Sequence, residues 1–141
     1  MVDKLPFRND ESHKWGTYRE LQLTCNWMSR LIRFYLNGRT SIHKHPVDEV
    51  VIVELGKVIC YSGKDPENLE VKIYGPGEQM YLPANVWHAC GAVEGISEKM
   101  PFAIGIEYIW GKIHNGDYRI ERYAPSIKSK FKKKWKNTTL N

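Results

Sequence analysis

Residues 43–56 read His43-Lys-His45-Pro46-Val-Asp-Glu49-Val-Val-Ile-Val53-Glu-Leu-Gly56. The stretch opens on two imidazoles one residue apart, and in extended chain alternate side chains share a face. His43 and His45 therefore point one way and Lys44 the other. Pro46-Val-Asp48 permits a turn, which swings Glu49 back beside the histidines instead of carrying it on along the same strand. The β-branched run that follows, ended by Gly56, reads as a buried strand over residues 49–55. Two borderline nitrogen donors and one anionic oxygen on a single wall are what a divalent transition metal binds. His88 supplies a fourth ligand from a separate strand, reached through a hairpin between Gly77 and Pro83. His13 and His114 belong to no such grouping and read as ordinary histidines.

Working outward, the same punctuated pattern covers most of the chain. Residues 18–23, 28–36, 41–45, 57–62, 69–74, 79–82, 87–93 and 102–110 are rich in β-formers. Turn residues separate them: Asn37-Gly38, Gly56, Gly75-Pro-Gly77 and Pro83-Ala-Asn85. Strands at such short intervals, with no long 3.6-residue periodicity, predict an all-β sandwich or barrel. The organisation expected is an N-terminal arm over residues 1–13, a β-barrel domain over 14–123 and a basic tail over 124–141. Val50-Val-Ile-Val53 is apolar on both faces, so one face should fill the barrel and the other meet a second sheet or a second subunit. A homodimer is the expectation on that ground.

The chain has 141 residues, enough for one domain with a core and too few for two. No apolar run approaches the roughly 18–20 residues of a membrane span. The first ten residues lack the apolar region of a secretory signal. Cys25, Cys60 and Cys90 are odd in number and far apart, which argues against a disulfide framework and for a cytoplasmic location. The formal charge is +5, but Lys128, Lys130, Lys132, Lys133, Lys134 and Lys136 crowd the last sixteen residues; without those six the remainder carries −1. The basicity belongs to the tail. A lysine run lacking arginine reads as a solubilising terminus, with nucleic acid the sharper but weaker reading.

Gly38-x4-His43-x-His45-x3-Glu49-x6-Gly56 resembles the first motif of the cupin superfamily, and Gly77-x5-Pro83-x-Asn85-x2-His88 resembles its second, with Asn85 where a glycine is usual. The resemblance implies a double-stranded β-helix, the small jelly-roll barrel of that superfamily. It also implies that His43, His45, Glu49 and His88 are the four metal ligands. A narrower likeness runs over residues 14–123. Trp15-Gly16-Thr17-Tyr18, Leu36-Asn-Gly38-Arg-Thr-Ser41-Ile-His43 and Asp117-Tyr-Arg119-Ile-Glu-Arg-Tyr123 are similar to segments of the phosphomannose-isomerase-type cupin domain. That group has Gln and Arg where this chain has Ser41 and Pro46.

Zinc, manganese, nickel and iron all suit this donor set. Held as a Lewis acid, the metal serves an isomerase or epimerase acting on a sugar or sugar phosphate. Iron with open positions serves a dioxygenase or another cupin oxidoreductase instead. A non-catalytic module that binds a sugar or carboxylate is the third possibility. Glu107 is the candidate catalytic residue, a carboxylate in the middle of the apolar strand 102–110 that must face a polar cavity, a cation or solvent. Arg33 and Arg119 are candidate anchors for an anionic substrate, with Arg30 on the same strand as Arg33 and Arg39 on the following turn as further possibilities. Tyr61 and Tyr81, with Trp87, are candidate walls of the substrate site. Cys90 shares strand parity with His88 and so falls near the metal.

Overall fold

In the computed structural model, which describes residues 11–111 and 120–123, eleven strands form two facing antiparallel sheets. The larger has the order β1-β2-β3-β10-β5-β8, from Glu11–His13, Gly16–Leu23, Trp27–Tyr35, Phe102–Trp110, Asp48–Leu55 and Gln79–Leu82. The smaller has the order β11-β4-β9-β6-β7, from Glu121–Arg122, His43–Lys44, Trp87–Glu94, Lys57–Gly63 and Glu70–Tyr74. Sequential strands repeatedly land in opposite sheets, which is jelly-roll connectivity. No helix of the described residues is long and apolar enough to cross a membrane. The Lys-rich tail, His114 and Arg119 lie outside the described residues, as does most of the N-terminal arm. The last three residues of that arm form β1 and pair with β2; Glu-Ser-His has no apolar alternation that would mark it as a strand.

The core follows from side-chain alternation. Along β10, Ala103, Gly105, Glu107 and Ile109 are buried while their neighbours are half-buried. Ile32, Phe34, Val51, Val53, Met80 and Leu82 from the larger sheet pack against Val58, Cys60, Cys90 and Ala92 from the smaller. Strands β6 and β9 are apolar on both faces for a different reason. Their alternate residues Ile59, Tyr61, Trp87 and Ala89 form a second cluster with Ile42, Leu69 and Tyr123 on the other side of the smaller sheet. A short strand buried on both faces reads as a continuous apolar run. The three cysteines are free thiols, Cys25 exposed and the other two buried.

Two turns depend on backbone that side chains resist. Asn85 has φ 62°, a left-handed conformation that glycine and asparagine tolerate best, which explains how asparagine serves where the motif usually has glycine. Its N–H donates to the His45 carbonyl at 2.8 Å, so the turn supports the site directly. Gly56 joins β5 to β6 at φ 75°, and a Cβ there would sit 2.7 Å from the Glu94 carbonyl oxygen and 2.9 Å from the Ala103 Cβ. Gly56→Ala should cost roughly 1–3 kcal/mol from backbone strain and crowding together. An unchanged urea midpoint would refute that.

Candidate metal centre

Strands β4 and β9 of the smaller sheet, the residue that follows β4, and strand β5 of the larger sheet meet at the candidate centre. Strand β4 pairs with β9 through His43 opposite His88, so the two imidazoles lie on one face with ring centroids 4.4 Å apart. His45 lies just past the end of β4, yet its ring centroid is 5.0 Å from that of His88. One ring nitrogen from each of the three lies within 4.8 Å of the others. Glu49 enters from β5 after the Pro46 turn. Its Oε2 is 2.5 Å from His45 Nε2 and 3.5 Å from His88 Nε2. His45, His88 and Glu49 are buried, and His43 is partly so.

The outward nitrogens explain the orientation of the rings. Nδ1 of His43 meets the Ser41 carbonyl at 2.7 Å, Nδ1 of His45 the Val47 carbonyl at 3.0 Å, and Nδ1 of His88 the Val86 carbonyl at 3.0 Å. A carbonyl only accepts, so each Nδ1 carries the proton and donates. In the neutral rings each Nε2 then presents a lone pair to the centre. Three lone pairs and a carboxylate converging in a buried space repel one another unless a proton or a cation lies between them. The donor set fits a divalent transition metal on that chemistry.

The electrostatics agree. Burial holds His43 down to about 3, with His88 adding to the effect, so it is neutral at physiological pH. Burial pulls His45 down as well, but the Glu49 carboxylate outweighs it and leaves His45 raised. Glu49 shows the reverse balance: burial pushes it up, and the hydrogen bonds to His45 and His88 hold it well below the usual carboxylate range.

The centre opens into a cavity of about 250 Å³ between the sheets. Its far wall is aromatic, with Trp15 stacked at 6.5 Å on Tyr18 and tilted against Phe34. Glu107 faces the same cavity from β10, 4% exposed. Its register partner is Arg30 on β3, whose Nε donates to Oε1 at 2.9 Å and whose Nη2 donates to the same oxygen. The Arg30 guanidinium also lies 4.6 Å over the Tyr18 ring. Burial pushes the Glu107 carboxyl up to about 7; Arg30 pulls it down without cancelling the desolvation, and Glu49 adds to the rise.

Strand parity sorts the remaining candidates. Arg33 is on the outer face of β3, exposed, with its guanidinium 4.8 Å over the Phe102 ring. Arg30 shares parity with the inward Met28, Ile32 and Phe34 and is the arginine that reaches the cavity. Tyr61 is buried in the cluster behind the smaller sheet, with Trp87. Tyr81 is 55% exposed between the inward Met80 and Leu82, stacked on Trp110 at 6.4 Å. Arg39 donates to the neighbouring Thr40 carbonyl. Cys90 lines the cavity as its parity with His88 requires, and Arg122 lines it from β11.

No protein-family model and no curated protein matches the chain. Solved structures do. The oxalate decarboxylase of Lactobacillus farciminis, in its formate complex, superposes with a TM-score of 0.66 at 11% identity, over 86% of this chain and 35% of its own. KdgF from Halomonas sp. gives 0.61 at 15% identity, over 78% of this chain and 91% of its own. Oxalate decarboxylase from Bacillus subtilis gives 0.64 at 16% identity, over 92% and 36%. The chain thus spans little more than a third of the length of the oxalate decarboxylases it resembles. At these identities the likeness is one of fold, and it defines the class: an all-β protein with a jelly-roll barrel. Within that barrel, three histidines are grouped as a metal site requires.

Proposed function

We propose that the protein is a metal-dependent cupin enzyme that isomerises or epimerises a small sugar or sugar phosphate, with His43, His45, Glu49 and His88 holding a divalent transition metal. The observation that carries this reading is Glu107, a buried carboxyl pushed up to about 7 and facing the same cavity as the imidazoles. When bound, the metal supplies Lewis-acid polarisation of a substrate carbonyl or hydroxyl. Aldose–ketose interconversion then needs a group that removes a proton from one carbon and returns it to the next. A carboxyl near neutrality does both with little penalty in either direction. Arg30 holds Oε1 of that carboxyl through two donors, which leaves Oε2 to exchange the proton. Trp15, Tyr18 and Phe34 offer an aromatic wall to the apolar face of a sugar and keep water from the opposite side.

The test starts with elemental analysis of freshly purified protein. Aldoses, ketoses and their phosphates are then incubated under nitrogen in deuterated water with each metal found. Equilibration of an aldose with its ketose, with deuterium entering at the carbon that loses its proton, is the expected result. Turnover only with oxygen consumption would assign the site to oxidative chemistry, and a fully metallated protein that equilibrates none of the sugars would overturn the reading.

A further inference from the structure

Strand β11 is two residues long, but its register determines where its side chains point. Arg122 lies opposite His43 and Glu121 opposite Lys44. Opposed residues of an antiparallel pair project to the same face with Cβ atoms about 5 Å apart. Glu121 accordingly leaves on the outer face, its Oε2 3.6 Å from Lys44 Nζ, and Tyr123 packs at the back of the smaller sheet, 5.4 Å from Trp87. Arg122 points the other way. It shares the cavity face with His43 and stands exposed at the mouth.

The charges around the cavity do not cancel once a cation is present. Glu107, when ionised, is neutralised by Arg30 in direct contact. Among the described residues Glu49 is the single further carboxylate on the lining, and the imidazoles are neutral when they bind a metal. A divalent cation exceeds the charge of Glu49 by one, and Arg122 adds a second positive charge. Excess charge of one sign inside a low-dielectric cleft focuses its field on ions of the other sign.

We infer that Arg122 is the anion-anchoring residue of this site, and that the ligand is a small carboxylate or phosphate-bearing hydroxy compound held with its charged group at the mouth. The inference rests on the metal reading given above and deepens it. The planar fork of Arg122 pairs with two oxygens of the anion, while the hydroxyl or carbonyl end reaches the floor formed by the histidines. A cavity of about 250 Å³ favours compact molecules of this kind over long chains.

Calorimetric titration of the full-length, metal-loaded protein with inorganic phosphate and with glycolate tests this. Four proteins are compared: wild type, Arg122→Gln, Arg122→Lys, and Lys72→Gln on β7 at the far edge of the same sheet, with metal content measured for each. Arg122→Gln should weaken the preferred anion about tenfold or more and leave metal content and thermal midpoint unchanged. Arg122→Lys should recover part of the loss, and Lys72→Gln should bind as wild type. Tighter binding of phosphate or of glycolate identifies the anionic group. Equal anion affinity in wild type and Arg122→Gln, a matching loss in Lys72→Gln, or no binding of either anion by metallated wild type would overturn the assignment while leaving the metal site intact. A wild-type protein that takes up no metal would instead sink the metal reading itself.

Discussion

On the proposed metal reading, His88→Ala should abolish metal uptake while leaving the barrel standing. His88 is 2% exposed, lies opposite His43 across β4 and β9, and approaches the Glu49 carboxylate with the same Nε2 that faces the other two rings. Substitutions of outer partners that only orient a ligating histidine cost roughly 10–100-fold in metal affinity. Loss of a direct donor from a four-ligand set must exceed that, so occupancy should fall at least about hundredfold at limiting metal. The barrel should survive because β9 pairs with β6 at six register positions besides Ser62 opposite His88, and the ladder is made by backbone rather than by the ring. Thermal stability separates the two effects. A ligand that binds only the folded state raises the midpoint, so zinc or manganese should raise that of the wild type and leave that of His88→Ala unmoved. A variant still carrying one metal per chain at wild-type affinity would remove His88 from the coordination sphere.

What could be read in advance follows the physics of local and non-local order. The strand over 102–110 was legible at both ends because Ala103, Gly105 and Ile109 alternate with side chains that tolerate partial exposure. The grouping of His43, His45 and Glu49 was legible because their spacing is local: His43 and His45 differ by two residues, and the turn permitted by Pro46-Val-Asp48 returns Glu49 beside them. Arg33 and Arg30 show where this ends. Strand β3 is apolar at both parities, with Trp27, Leu31 and Tyr35 on one side and Met28, Ile32 and Phe34 on the other, so composition alone does not say which arginine faces in. The deciding contact is Arg30 with Glu107, 77 residues away, and that register exists only once β3 and β10 are paired. Tyr61 is undecided by pattern in the same way, since β6 is buried on both faces. Arg122 sits on a strand of two residues, too short to carry any period.

Glu107→Gln is the second large effect. Glutamine keeps the volume of the side chain and an oxygen for the Arg30 guanidinium, so the wall of the cavity and the metal content should remain. It has no proton to exchange between carbons, and loss of a positioned acid–base group typically costs about 10²–10⁴ in kcat. The pH profile gives the signature. As the base of the first step Glu107 must be ionised, and burial has moved its proton release from the ordinary 4.5 to about 7. Wild-type turnover should therefore rise with pH through the Glu107 ionisation, and the residual rate of Glu107→Gln should lack that limb. Stability moves in the opposite sense. A carboxyl raised on folding binds its proton more tightly in the native state than in the unfolded chain, so its favourable contribution is complete below the unfolded value and is lost as pH climbs through about 7. Urea midpoints of the wild type should decline over that window more steeply than those of Glu107→Gln. A glutamine variant with unchanged kcat and an unchanged acidic limb would mean that the proton travels by another group, and the buried Arg30–Glu107 pair would then be a strut of the barrel wall.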